Sequence, residues 1–286
     1  MLPEPERVIH AKLGDFVDSP PMRESAKQSF LHQFLAQRHM SIIEEIVDLS
    51  VDDGQMTVFT YREDNDRARP AIVLLHDAHG LVRGTLDIAK DLASEGFVVA
   101  APDTFHRAGR MMNDESGPPQ QDSMLLRKGM TNDGHLSDMN SVARYLGAQA
   151  YVSQGLVGVT GFCLGGRIAF LAATQGVGFG PSVLFYPTRL WRSDPAVAGA
   201  PTPLSVATVT SPMLSFFPEL DSQNPPERIE EFRKTLASMP VESVVVPNAI
   251  HGFAQPQSVH YQPEHGPEAW QLCIDFFKQH LEVVPS

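Results

Sequence analysis

The chain predicts an α/β domain built on a mostly parallel sheet, and three observations predict it. From position 42 onward, short apolar runs recur at regular intervals. Most of the later runs alternate with longer stretches of helical periodicity. Within the runs Val, Leu and Ile follow one another with little polar alternation, as expected of strands covered on both faces. At 286 residues, 42% hydrophobic and 20% charged, the chain is long enough for one large domain with a sizeable core.

The elements follow in order. Residues 1–41 are set apart by polar composition, with Pro3, Pro5, Pro20 and Pro21 early and Phe30, Leu31, Phe34 and Leu35 at helical spacing. They predict an N-terminal arm carrying one amphipathic helix, whose partner, the same chain or a second subunit, stays open. Residues 42–286 form the main domain. Its first two runs, 42–49 and 56–61, flank Asp52-Asp53-Gly54, a turn signal suited to a hairpin. Further strands are predicted at 71–75, 98–101, 156–160, 182–186, 213–217 and 241–246, eight in all. Helices are predicted near 84–95, 135–149, 164–175, 226–238 and 266–281, on both faces of the sheet. The stretch 109–122, with Gly117-Pro118-Pro119, predicts an exposed loop rather than a domain boundary.

Composition removes several function classes. A net charge of −12 without a basic stripe argues against a nucleic-acid partner. No window reaches the roughly 18–20 consecutive apolar residues of a spanning helix, and no signal segment opens the chain, so a cytoplasmic protein without membrane attachment is expected. The two cysteines, Cys163 and Cys273, are too few and too far apart for a disulfide or metal framework. Cys273 falls in an apolar helical stretch and is expected to serve packing.

Cys163 stands elsewhere, in Gly161-Phe162-Cys163-Leu164-Gly165, between an apolar strand and an apolar helix. A nucleophile on such a turn occupies a strained backbone position, and small neighbours let strand and helix approach around it. At a helix start a thiolate also gains from unpaired N–H groups and the helix dipole. The alternative is an inert buried cysteine beside packing glycines.

A thiol nucleophile needs a base, and the base an orienting acid. In α/β-hydrolase order these follow as acid, then histidine, each after a later strand. Strand 213–217 leads into Pro218-Glu219-Leu220-Asp221, and strand 241–246 into Pro247-Asn248-Ala249-Ile250-His251-Gly252. Asp221 is preferred as the acid because it clears the strand edge, with Glu219 its rival. His251 is preferred as the base for its late position, preceding strand and following glycine. One oxyanion donor is expected from the Leu164 N–H and a second from the loop His76-Asp77-Ala78-His79-Gly80. His76 and His79 lack a third ligand nearby, so no metal is expected.

Together these residues resemble the dienelactone hydrolase family. The resemblance covers about residues 43–282 and rests on the loop 76–80, Ala101-Pro102-Asp103-Thr104-Phe105, the cysteine elbow, Asp221, His251-Gly252-Phe253, Ala269-Trp270 and Phe276-Phe277. It implies an α/β-hydrolase fold and a Cys163, His251, Asp221 triad. The expected chemistry is hydrolysis of a small lactone or ester through an acyl-thioester, without a cofactor. Ala78 and Leu164 would supply the oxyanion N–H groups. The position of Asp77 is implied to control the thiol, with glutamate in the family. Arg107 and the position of Gln255 are implied to bind a substrate carboxylate, the second with arginine in the family. Those departures keep two other functions open: a broad carboxylesterase, or a non-catalytic ligand-binding or regulatory protein on the same fold. The assembly, monomer or homodimer, is left open as well.

Overall fold

Strand β3 (Ala71–Leu75) shows how the sequence divides the core. All five of its residues are buried. Because successive side chains point to opposite faces, Ile72 and Leu74 enter one hydrophobic cluster while Ala71, Val73 and Leu75 enter another. The first cluster is closed by helices α1 (Arg83–Ser94) and α5 (Gly266–His280). The second is closed by α2 (Asn132–Gly147), α3 (Leu164–Gln175) and α4 (Pro226–Thr235). Each fully buried Leu, Ile or Val contributes roughly 1.5–3 kcal/mol, which is why unbroken apolar runs favour the interior of this sandwich.

The computed structural model describes residues 41–108, 130–193 and 200–281. The chain divides into two units, 1–40 and 41–286, and all described residues belong to the second. The expected N-terminal helix and the expected loop at 109–122 lie outside the described residues.

The remaining strands are β1 (Ile42–Val51), β2 (Gly54–Glu63), β4 (Val98–Pro102), β5 (Val157–Phe162), β6 (Phe179–Phe185), β7 (Met213–Pro218) and β8 (Val241–Val246). They form one eight-stranded sheet in the order β1-β2-β4-β3-β5-β6-β7-β8. β1 pairs antiparallel with β2, and β2 with β4, while all further neighbours are parallel. Val51 pairs with Gly54, so Asp52 and Asp53 alone make the hairpin turn that the Asp-Gly signal predicts. This is the predicted eight-stranded α/β-hydrolase architecture with helices on both faces.

β6 departs from the expected 182–186. It begins at Phe179, three residues earlier, because Gly180 and Pro181, which look like strand breakers, are absorbed where the β5–β6 register shifts between Val157 and Val159. Proline cannot donate to a ladder, and a register shift is where that loss is tolerated. At the other end Tyr186 leaves the strand with φ 40°. The loops that follow the parallel strands all emerge at one edge of the sheet, where ligands of open α/β sheets bind.

Candidate active site

Cys163 sits between β5 and α3 with φ 53° and ψ −109°, a conformation non-glycine residues avoid. Its neighbours enforce it. A Cβ at Gly165 would lie 2.3 Å from the Leu75 carbonyl oxygen, and one at Gly161 would lie 2.6 Å from the Gly165 backbone. The Cys163 N–H donates to Phe185 O at 3.0 Å, and its carbonyl accepts the N–H groups of Arg167 and Thr188, each at 3.1 Å. The half-buried thiol faces Thr188 Oγ1 at 3.9 Å. Leu164 opens the helix, so its N–H has no partner within it.

The loop after β8 presents His251. Asn248 (φ 56°) and Gly252 (φ 93°) turn the chain on either side of it. Gln262 braces the turn, accepting the Ile250 N–H at 2.7 Å and donating to Asn248 O at 3.1 Å. Trp270 Nε1 donates to Ala254 O at 2.7 Å, tying the following segment to α5. His251 Nδ1 lies 2.7 Å from Asp221 Oδ2. Its Nε2 is buried without a hydrogen-bond partner among the described residues. Burial disfavours the imidazolium, but the Asp221 carboxylate and then Cys163 outweigh it, and His251 is pushed up to about 10.

Asp221 is buried after β7. Besides His251 it accepts from Asn224 Nδ2 at 2.7 Å and the Gln223 N–H at 2.9 Å. Burial acts to raise its carboxyl, yet these donors hold it below the usual carboxylate range. The rival Glu219 points elsewhere, accepting the Asn248 N–H at 2.8 Å. It braces the histidine loop and does not touch the ring.

The loop after β3 folds around Asp77. Its Oδ1 accepts the His79 N–H at 2.7 Å and lies 3.0 Å from His79 Nδ1, fixing the turn on both sides of Ala78. Its Oδ2 accepts from Gln255 Nε2 at 3.1 Å. His76 is fully buried, with Nε2 accepting the Thr104 N–H at 3.1 Å and Nδ1 donating to Asp77 O at 2.8 Å. That makes it a structural link between two loops, the neutral tautomer being fixed by its partners.

Arg107 differs in its surroundings from a free carboxylate receptor. Its guanidinium grips fully buried Asp138 with two donors, reaches Asp53 Oδ2 at 2.6 Å, and contacts His106 Nε2 at 3.0 Å. Asp53, His106 and Asp138 bring ligand atoms within 4.8 Å of one another, and the guanidinium already supplies that cluster with a cation. Cys273 is fully buried in the α1–α5 layer, its thiol pushed up by burial.

Sequence reasoning missed Asn224, Gln262, Thr188 and Tyr186. The Tyr186 ring is buried 4.8 Å from the His251 ring, and its hydroxyl donates to Gln255 Oε1 at 3.1 Å. Only Asn224 left a signal, three residues beyond Asp221 in a turn; the others act across long sequence separations.

Over residues 56–281 the chain matches the dienelactone hydrolase family. A carboxymethylenebutenolidase of Rhodococcus opacus is 29% identical over 228 residues, 74% of this chain and 82% of that protein. Among solved structures, a dienelactone hydrolase-like promiscuous phosphotriesterase, P91, from metagenomic libraries superposes with TM-score 0.70 at 19% identity, covering 85% of this chain and all of that one. Esterase 2 of Thermogutta terrifontis, phosphorylated by paraoxon, gives TM-score 0.64 at 17% identity, covering 85% and 96%. At such identities the structural likeness is one of fold, and it is the match along the sequence that places the chain in the dienelactone hydrolase family.

Proposed function

We propose that the protein hydrolyses small esters or lactones with Cys163 as nucleophile, His251 as proton carrier and Asp221 as the group that orients and charges the imidazole. The single observation that carries this reading is His251. Its Nδ1 is held by a buried carboxylate, its Nε2 lies within hydrogen-bond geometry of no group among the described residues, and Asp221 and the elbow thiol together hold its proton.

In the proposed reaction the thiolate sulfur attacks the ester carbonyl, and the negative charge that develops on oxygen is received by the N–H groups of Leu164 and Ala78. As the tetrahedral adduct collapses, the ester C–O bond breaks and His251 Nε2 gives its proton to the leaving alkoxide, which in a lactone stays tethered to the acyl group. Water then attacks the thioester while His251 removes its proton, releasing the acid and restoring the thiolate. The Rhodococcus relative, a carboxymethylenebutenolidase by name, supports lactones as one substrate group.

Cys163→Ala tests the mechanism. Turnover of a panel of aryl esters and five-membered lactones is expected to fall by about a thousandfold or more, with the circular dichroism spectrum unchanged. Mass spectrometry of the wild type quenched during turnover should show the acyl mass on the peptide containing Cys163. Parental rates in Cys163→Ala, or an acyl group on another residue, would overturn the proposal.

A further inference from the structure

The wall beside the elbow bears on what the acyl group can carry. Gln255 is committed at both ends of its carboxamide, Nε2 to Asp77 and Oε1 to the Tyr186 hydroxyl. Asp77 remains an anion: burial opposes its charge, but the His79 and Gln255 donors hold its carboxyl below the usual range. The buried Tyr186 ring, in contact with His251, feels Asp77, Cys163 and Asp221 together, and its phenol is pushed well up, by burial first and then by those three groups. Two carboxylates, Asp77 and Asp221, thus stand on this side of the elbow; the His251 imidazolium is paired with Asp221, and Asp77 has the exposed His79 ring as its partner. Arg107 does not redress this. Its guanidinium is engaged by the carboxylates of Asp138 and Asp53, so that local cluster carries no surplus positive charge.

A substrate carboxylate next to the scissile carbonyl would meet an anion at Asp77 and a neutral amide with one of its two N–H groups already donated to that anion, while Arg107 is held by two acids. We infer that the site selects esters and lactones whose acyl portion is uncharged beside the scissile carbonyl, and that Asp77, held by Gln255, is the group that excludes an anion there. The inference rests on the proposed ester-hydrolase reading and adds its substrate class.

The test compares a butenolide bearing a carboxylate on the ring carbon next to its carbonyl with the corresponding primary amide, which has nearly the same shape without the charge. In the wild type kcat/KM is expected to favour the amide by about tenfold or more. In Asp77→Asn, which keeps an acceptor for the His79 N–H, that ratio should shrink to within about threefold. A ratio is read because any general loss of activity in the variant cancels from it. Equal rates on acid and amide in the wild type, a preference for the acid, or a ratio unchanged in Asp77→Asn would overturn the inference. If the wild type hydrolyses neither compound faster than Cys163→Ala, the ester-hydrolase reading itself fails. Calorimetric binding of acid and amide to Cys163→Ala then decides the charge selection alone: tighter amide binding upholds it, and equal or tighter binding of the acid overturns it.

Discussion

Asp221 has each carboxylate oxygen occupied, Oδ2 by His251 and Asn224 and Oδ1 by the Gln223 N–H. An ion held by three donors in a buried site stabilises the imidazolium next to it without being protonated itself. Asp221→Asn removes the charge and one of the two acceptor oxygens, so the donors of His251, Asn224 and Gln223 compete for the single oxygen left. Two outcomes are expected in the proposed reaction. The rate should fall on the order of a hundredfold or more, and the alkaline limit of the pH–rate profile should move down. The sign follows from the charge: a neighbouring carboxylate favours protonated His251, so removing it lets the ring lose its proton at lower pH. Titration of the His251 ring by NMR in both proteins checks this independently of turnover.

The elbow works as a unit of strand, turn and helix. Gly161 and Gly165 are there because β5 and α3 must approach β3 more closely than any side chain allows. Gly165→Ala would drive a methyl group into the Leu75 carbonyl, and backbone cannot yield as a flexible side chain can. A loss of roughly 3 kcal/mol or more is expected, read as a lowered urea midpoint, together with loss of activity as Leu164 and Cys163 shift. This element was legible in the sequence, since the strain of the turn selects the glycines directly and apolar runs on both sides mark strand and helix. Asp221 and His251 were legible for a related reason: each follows a strand whose apolar run ends cleanly. The start of β6 was not, because Pro181 and Gly180 carry a local breaker signal that the register shift accommodates. Nor were the contacts of Arg107 with Asp53 and Asp138, or of Gln255 with Asp77 and Tyr186. Those pairs are separated widely along the chain and meet only once the sheet is assembled, so no spacing rule announces them.

At the scale of the whole molecule, the charge of −12 and the Asp77 anion beside the elbow act in the same sense, both opposing the approach of an anionic substrate. Acidity has a further consequence, for stability. His135 lies buried in α2 near Asp138, Arg107 and Arg167, and its Nδ1 has no hydrogen-bond partner among the described residues. Burial pushes its pKa down to about 4; Asp138 opposes that shift, while Arg107, Arg167 and His76 add to it. In the unfolded chain the same ring titrates near its ordinary 6.5. Between these values the unfolded state binds a proton that the folded state refuses, so stability rises with pH and is lost as the pH falls from about 6.5 toward 4. The full effect is about 3 kcal/mol, a sizeable share of the roughly 5–15 kcal/mol that holds a typical domain together. Asp77, Asp138 and Asp221 act in the next window down, since depressed carboxylates lose their stabilising effect only as pH falls through their folded values, below the ordinary carboxylate range. Asp91, exposed on α1 yet pushed up to about 6 by desolvation and its acidic neighbours, opposes the histidine effect in part over the same interval. The urea midpoint of the wild type should therefore decline between pH 6.5 and 4.5 by less than His135 alone dictates. In His135→Gln, which has no titrating ring, the decline over that interval should be markedly shallower. An equal slope in both proteins would show that the buried histidine does not set the acid limb.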